Sequence, residues 1–222
     1  QMQALQAQMD PHFIYNILSV ISSLGQDAGS IRIMKICRTF SDMLNYCSGY
    51  VAESVTLERE ITHMRNYVFL MTQRYEENIR FCLKVAEDLS PNRIHVPKMI
   101  LQPLVENCFK HGFSNIHPPW VIEADIALRE DYWFFVLEDN GSGISEQEAM
   151  FLEEKASQIL SGKITSINMD IGGLGILSSV LRTALLTQNR LSFEIGTSRR
   201  LGGTRVVFGG YVYEDSDSHC GR

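Results

Sequence analysis

The chain has 222 residues, which at about 100–200 residues per domain suits one domain with an appendage or two small ones. Apolar residues make up 45% and charged residues 21%, and 26 acidic against 20 basic side chains leave a net charge of −6. No basic stripe stands out, which argues against non-specific nucleic-acid binding as the main activity; the apolar runs fall short of the ~20 residues that span a bilayer, and no signal peptide opens the chain.

The first segment is helical by period. Leu5, Met9, Phe13, Ile17, Val20 and Leu24 form one stripe at three- and four-residue steps, widened by Ile14, Leu18 and Ile21. It begins in helix-forming sequence with no cap and no initiator methionine, as expected of a piece of a longer parent. Gly25 to Ser30 reads as a turn, with Gly25 as C-cap and Ser30 as N-cap. The next helix carries Ile33, Cys37, Phe40, Leu44, Cys47 and Val51 in a 4-3-4-3-4 spacing, the seam of a bundle. Two helices cannot cover that much apolar surface, so a hairpin that dimerises into a four-helix bundle is expected; a compact monomer using both helices as core is the alternative.

Thr56 caps a third helix with Glu58 and Glu60 in its first turn and a stripe of Leu57, Ile61, Met64, Val68, Met71 and Tyr75. The period then changes to two, predicting a strand over 79–85. Pro97 suits the first turn of a following helix, whose buried face is Leu101, Leu104, Val105 and Cys108. A hairpin over 121–128 and 132–138 follows, then the turn Asp139-Asn140-Gly141-Ser142-Gly143, a polar helical insert over 146–161, a loose stretch to Asp170, and a last helix opened by Gly172-Gly173-Leu174-Gly175. Strands over 190–195 and 204–208 close the chain before a polar tail. The five cysteines, Cys37, Cys47, Cys82, Cys108 and Cys220, form no CxxC and read as reduced thiols, most of them buried, which disfavours zinc. The fold class is α+β: a helical hairpin over 1–52, an α/β sandwich with a mixed sheet of about five strands over 53–214, and a tail over 215–222.

Three clusters suit a nucleotide. Asn107, Lys110 and His111 share a helix face at i, i+3 and i+4, where a carboxamide can hold a phosphate-bound magnesium and the basic groups can face oxygens. Asp139, Gly141 and Gly143 end an apolar strand, so a fixed carboxylate can accept from an exocyclic amine such as adenine's while glycines let the backbone pass close. Gly173-Leu174-Gly175 enters a helix, where exposed N–H groups favour anions. Each has a plain reading as well: a solvated polar face, a turn, a loop.

In this order the clusters resemble the N, G1 and G2 boxes of the GHKL (Bergerat) ATP-binding fold shared by histidine kinases, gyrase B and MutL. Gly203-Thr204 matches the late G-T before the last strand, and the polar insert matches the lid over ATP. Leu5 to Asn16, with Pro11-His12-Phe13-Ile14-Tyr15-Asn16 at its heart, resembles the phosphoacceptor box of LytS/YesM-type sensor histidine kinases. Val55-Thr56-Leu57-Glu58-Arg59-Glu60, Gln73-Arg74-Tyr75 and Leu101-Gln102-Pro103-Leu104-Val105-Glu106-Asn107 are similar to the same family.

The resemblance implies a protein-histidine kinase. It would bind ATP with Mg2+ at Asn107, Lys110, His111, Asp139, Gly141, Gly143, Gly173, Gly175 and Thr204, with Asn107 facing the metal through the phosphates. It would phosphorylate His12, assisted by Asn16, Asp10 or Glu106, and pass the group to an aspartate of a response regulator. It implies a homodimer on the cytoplasmic side of a membrane-anchored parent, with no nucleic acid and no membrane contact of its own. His12 falls roughly 80° from the main stripe, on a reachable flank, and Pro11 removes a helix N–H and crowds Ala7, a kink that could present it. Phe13 follows the histidine where other histidine kinases have an acid, an absence the LytS/YesM type shares, and Ser178 departs from the pattern by standing where G-x-G-L-x-N has asparagine. Ser178 favours an ATP-binding scaffold without phosphotransfer as the alternative; a GHKL serine kinase would lack the Pro11-His12 box.

Overall fold

The computed structural model describes residues 11–48, 54–76, 78–164 and 174–212. It opens with two helices, α1 (Pro11–Asp27) and α2 (Ile31–Ser48), folded into an antiparallel hairpin that Tyr15 Oη ties to Asn45 Oδ1 at 2.7 Å. Ser30 caps α2 as expected, its hydroxyl accepting from Ile33 N at 3.4 Å. The C-cap expected at Gly25 does not form: α1 runs on to Asp27, and the turn glycine is Gly29, at φ 65°. Gly25 is buried instead where the two helices approach, and a Cβ there would stand 2.7 Å from Ile33 Cγ2. Gly25→Ala is therefore expected to spread the hairpin and cost about 1–3 kcal/mol, read as a lower melting temperature.

The stripe of α1 faces solvent in the single chain. Phe13, Val20 and Leu24 are each about 60% exposed, while Ile14 and Leu18 on the flank are half-buried. In α2, Ile33 and Phe40 of the predicted seam are exposed, whereas Cys37, Thr39, Met43 and Tyr46 are buried. The reason is a third helix, α3 (Leu57–Arg74), which packs antiparallel on the other side of α2: Arg32 Nε donates to Gln73 Oε1 at 2.7 Å and Lys35 Nζ lies 4.7 Å over the Phe69 ring. Leu5, Met9, Val51 and the Pro11–Ala7 kink lie outside the described residues. Among the described residues no helix is long and apolar enough to cross a membrane.

Thr56 caps α3 through Arg59 N at 3.4 Å, and Leu57, Ile61, Met64 and Val68 are buried as the stripe requires. A short ladder that three-residue strands keep invisible to periodicity, β1 (Ser54–Thr56) with β3 (His95–Pro97), fastens the start of α3. Pro97 thus lies in a strand, correcting the helical placement. The following helix, α4 (Gln102–Asn107), starts five residues later with Pro103 in its first turn.

Among the described residues the main sheet has five strands: β2 (Ile79–Val85), β4 (Trp120–Arg129), β5 (Tyr132–Asp139), β6 (Leu191–Thr197) and β7 (Thr204–Tyr211), in the order β2-β4-β5-β7-β6. β2 and β4 are parallel and the other pairs antiparallel, so the sheet is mixed and the α+β class holds. Period two puts Ile122, Ala124 and Ile126, then Trp133, Phe135 and Leu137, then Val206 and Phe208 on one buried face. Asp139 and Thr204 continue that face at the strand ends, so a carboxylate is carried into the core by register alone. The opposite face carries Glu123 and Glu138, both bound by Arg200. Helices α5 (Glu146–Leu160) and α6 (Leu174–Leu186) complete the layer. Ser145 and Glu148 form a capping box at the start of α5, a Ser-x-x-Glu pattern present in the sequence.

Of the described cysteines, Cys37 and Cys108 are buried, Cys47 and Cys82 are exposed, and all four are free. The expectation that most are buried therefore holds for half of them.

Candidate functional site

Past Asn107 the helix does not keep its 3.6-residue winding. Residues Cys108–Gly112 form a π-turn, closed by Phe113 N donating to Cys108 O at 2.9 Å. The wider turn lets Asn107 and His111 face one space while Lys110 swings out to pair with Glu106, its side chain 65% exposed. That pairing occupies two groups expected at the site, Lys110 facing phosphate and Glu106 assisting the histidine. Neither lines the cleft.

The cleft has a volume of about 410 Å³, within the range of small-molecule sites. Asn107, His111, Gly143 and Thr204, predicted from three separate stretches, line it together with Glu148 and Ile176. A second cavity of about 470 Å³ is walled by Tyr75, Phe109, Phe113 and Trp120 with Ser114, Asn115 and His117; it takes in none of the residues predicted for a nucleotide.

Asp139, 3% exposed, and Gly141 do not line the cleft themselves; Asp139 sits behind the lining and ties together the loop and strand end that reach it. Its Oδ1 accepts from Gly141 N at 2.8 Å and Thr204 N at 3.1 Å, and its carbonyl accepts from Gly203 N at 3.2 Å. The buried Cys108 thiol beside it is pushed well above its ordinary value, by burial first and by the Asp139 charge second, and stays protonated. Loop 140–143 is stitched to the π-turn by Ser142 N donating to Gly112 O at 2.8 Å. Asn140 anchors its base, accepting from Val121 N at 2.7 Å and donating to Pro119 O at 3.0 Å.

Glycine is required here by proximity. A Cβ on Gly141 would lie 2.5 Å from Gly112 O and 2.7 Å from Gly112 Cα, backbone atoms that cannot rotate away. Gly141→Ala is expected to detach the loop from the π-turn at a cost of about 1–3 kcal/mol, measured by thermal melting and by a nucleotide titration. Gly143 stands at φ 75°, the left-handed region that glycine enters freely.

Gly175 lies in the first turn of α6, close enough to Pro103 that a Cβ would touch its Cβ at 3.3 Å, and Ile176 after it enters the cleft wall. Ser178 is half-buried on the same helix. Gly173 and Asp10 lie outside the described residues. His12 and Asn16 are both exposed, one turn apart on α1, and neither lines the cleft. Sequence reasoning missed Gly112, Ile144, Glu148, Phe151 and Leu152. Gly112 was signalled by its place after His111 and Glu148 by the capping box, whereas the apolar wall had no signature apart from ordinary core.

The histidine kinase family model matches residues 1–79. The sensor protein LytS of Staphylococcus epidermidis is 32% identical over 147 residues, covering 65% of this chain and 24% of that protein. The sensor histidine kinase YesM of Bacillus subtilis is 28% identical over 144 residues, covering 65% of this chain and 25% of that one. The sensor histidine kinase/phosphatase LytS of Staphylococcus aureus is 27% identical over 190 residues, covering 82% of this chain and 32% of that one. The chain thus spans about a quarter to a third of the length of these curated relatives.

Proposed function

We propose that this chain, which is similar to the LytS/YesM-type sensor histidine kinases, is the catalytic core of such a sensor, binding Mg-ATP in the cleft beneath loop 140–143 and phosphorylating its own His12. The observation that carries this is the convergence of Asn107, His111, Gly143 and Thr204 on one cleft, with the buried Asp139 carboxylate bonded to Thr204 N behind its wall. In this reading Asp139 accepts from the adenine amine, the glycine loop lies along the ring, and Asn107 and His111 face the phosphates. Asn107 is the residue that would hold Mg2+ there, and the ion supplies charge neutralisation at the phosphate oxygens.

In the transfer step a ring nitrogen of His12 forms a bond to the γ-phosphorus as the bond from that phosphorus to the bridging oxygen breaks. ADP leaves, and the imidazole gives up a proton. The reaction needs alignment and charge neutralisation more than a strong base, which suits a histidine followed by Phe13 and not by an acid. The phosphoryl group then passes to an aspartate of a response regulator.

Residues 1–52 serve as the dimerisation and phosphotransfer hairpin and residues 53–214 as the nucleotide-binding unit. The exposed stripe of Phe13, Ile17, Val20 and Leu24 with Phe40 supports a homodimer, because burying several large side chains together is worth about 1.5–3 kcal/mol each. The core works on the cytoplasmic side of a membrane-anchored sensor.

Incubation with γ-labelled ATP tests the reading. Label that acid releases and alkali retains is the expected result. No label together with nucleotide binding would favour a scaffold, the alternative that Ser178 supports, and acid-stable label would mean a hydroxyl acceptor.

A further inference from the structure

Resting on the proposed nucleotide-binding reading, a further role falls to Glu60. It stands one turn into α3 and is wholly buried, 0% exposed, far from the solvent that a first-turn carboxylate usually meets. Its partners belong to another segment: Oε1 accepts from Met99 N at 2.6 Å, and Oε2 accepts from Ile100 N at 2.8 Å and Leu101 N at 3.0 Å. These three N–H groups lead directly into α4, the helix that ends in Asn107 and the His111 turn. Met99 sits at φ 62°, a left-handed conformation that a methionine keeps only when its surroundings hold it.

The carboxylate takes a fourth bond, on Oε1, from the Tyr46 hydroxyl of α2. Burial first, and the Glu60 charge second, push the Tyr46 phenol far above its ordinary value, so it remains a donor. His63 stacks on the Tyr46 ring at 4.2 Å and Lys98 Nζ lies 4.9 Å over it. From the far side Arg182 of α6 donates to Lys98 O at 3.0 Å and Met99 O at 3.2 Å. The strap 98–101 is thus gripped by α2, α3 and α6 at once. Of these, α2 belongs to the hairpin that carries His12, and α6 begins at Leu174-Gly175 beside the cleft.

We propose that Glu60 is a positioning residue whose carboxylate sets the start of α4, and through it the nucleotide cleft, and that the Tyr46 hydroxyl makes the hairpin part of that setting. A displacement of α2 then reaches the start of α4, and with it Asn107 and His111, through the Oε1 that Tyr46 and Met99 N share. Removing the charge at Glu60 leaves three N–H donors without their full acceptor; removing the Tyr46 hydroxyl leaves them satisfied but frees the hairpin from the strap.

Three variants of the full chain test this: Glu60→Gln, Tyr46→Phe and the double substitution. Two readouts apply, the affinity for trinitrophenyl-ATP and the amide hydrogen exchange of residues 98–112. Glu60→Gln is expected to weaken nucleotide binding about tenfold, the worth of charge-assisted hydrogen bonds lost at a buried site, and to speed exchange at Met99, Ile100 and Leu101. Tyr46→Phe is expected to weaken binding by about two- to threefold, the worth of one hydrogen bond, and to speed the same amides. The double variant is expected to bind no more weakly than Glu60→Gln alone, because both act through one carboxylate.

Unchanged affinity and exchange in Tyr46→Phe would overturn the hairpin connection. A Glu60→Gln protein that melts lower but binds as the wild type does would overturn the positioning role. If Glu60→Gln does not fold, Tyr46→Phe decides by the same two readouts. Should the unaltered chain fail to bind the analogue, the nucleotide reading fails, and the exchange of residues 98–112 in Tyr46→Phe still decides whether the hairpin holds the strap.

Discussion

His12→Gln is expected to reduce acid-labile label from γ-labelled ATP to background, roughly ten-thousand-fold or more below the unaltered chain, as for loss of a nucleophile. Glutamine matches histidine in length and polarity, but its amide nitrogen has no free lone pair to offer phosphorus. The exchange is also safe for the fold. His12 is exposed in the first turn of α1, and it lies outside the cleft lining. Nucleotide affinity is therefore expected to stay within a factor of about two, and the two measurements separate loss of the acceptor from loss of the ATP site. Retained acid-labile label would move the acceptor to another histidine; His111, which lines the cleft itself, would be the first to replace.

Asp139→Asn is expected to weaken ATP binding about a hundredfold while the purine analogue lacking an exocyclic amine loses little, since leaving a buried polar group mismatched costs about 3 kcal/mol. The carboxylate is held in place by bonds from Gly141 N and Thr204 N to a single oxygen, Oδ1. An asparagine that keeps its carbonyl oxygen in that position turns its NH2 group to where Oδ2 stood. A donor then faces the donor of the adenine amine, and the attraction becomes a repulsion. An asparagine flipped the other way would instead oppose the two backbone N–H groups and loosen loop 140–143. Isothermal titration with ATP and with the amine-lacking analogue distinguishes the two: the first loss is specific to the amine, the second falls on both ligands alike. Equal affinities of the variant and the unaltered chain for ATP would remove Asp139 from the recognition of the base.

Much of the architecture was legible because its causes are local. Thr56 and Ser30 were identifiable as caps from residue type and position, the alternation of Ile79 to Val85 marked β2, and the stripe Leu57–Ile61–Met64–Val68 marked α3. Pro97 misled because a proline suits a helix start and an edge ladder equally. Its place was decided by pairing with Ser54, a partner remote in the chain. Gly25 misled for the same reason, since only the closeness of Ile33 distinguishes a packing glycine from a capping one. At the site, Lys110 was assigned by assuming an unbroken α-helix, and the π-turn at Cys108–Gly112 put it elsewhere.

By itself, then, the sequence determined most of the helices and the strands of the five-stranded sheet, their order, and which residues are candidates for a nucleotide site. Period, capping and glycine placement act over a few residues and need no partner. Tertiary structure alone decided that Asp139 and Thr204 meet at adjacent strand ends, that Gly141 presses on Gly112, and that Glu60 leaves its own helix end to bind the backbone of 99–101. Those outcomes depend on strand order and helix packing, where the free energy of a contact is set by what lies across the core and not by what comes next along the chain.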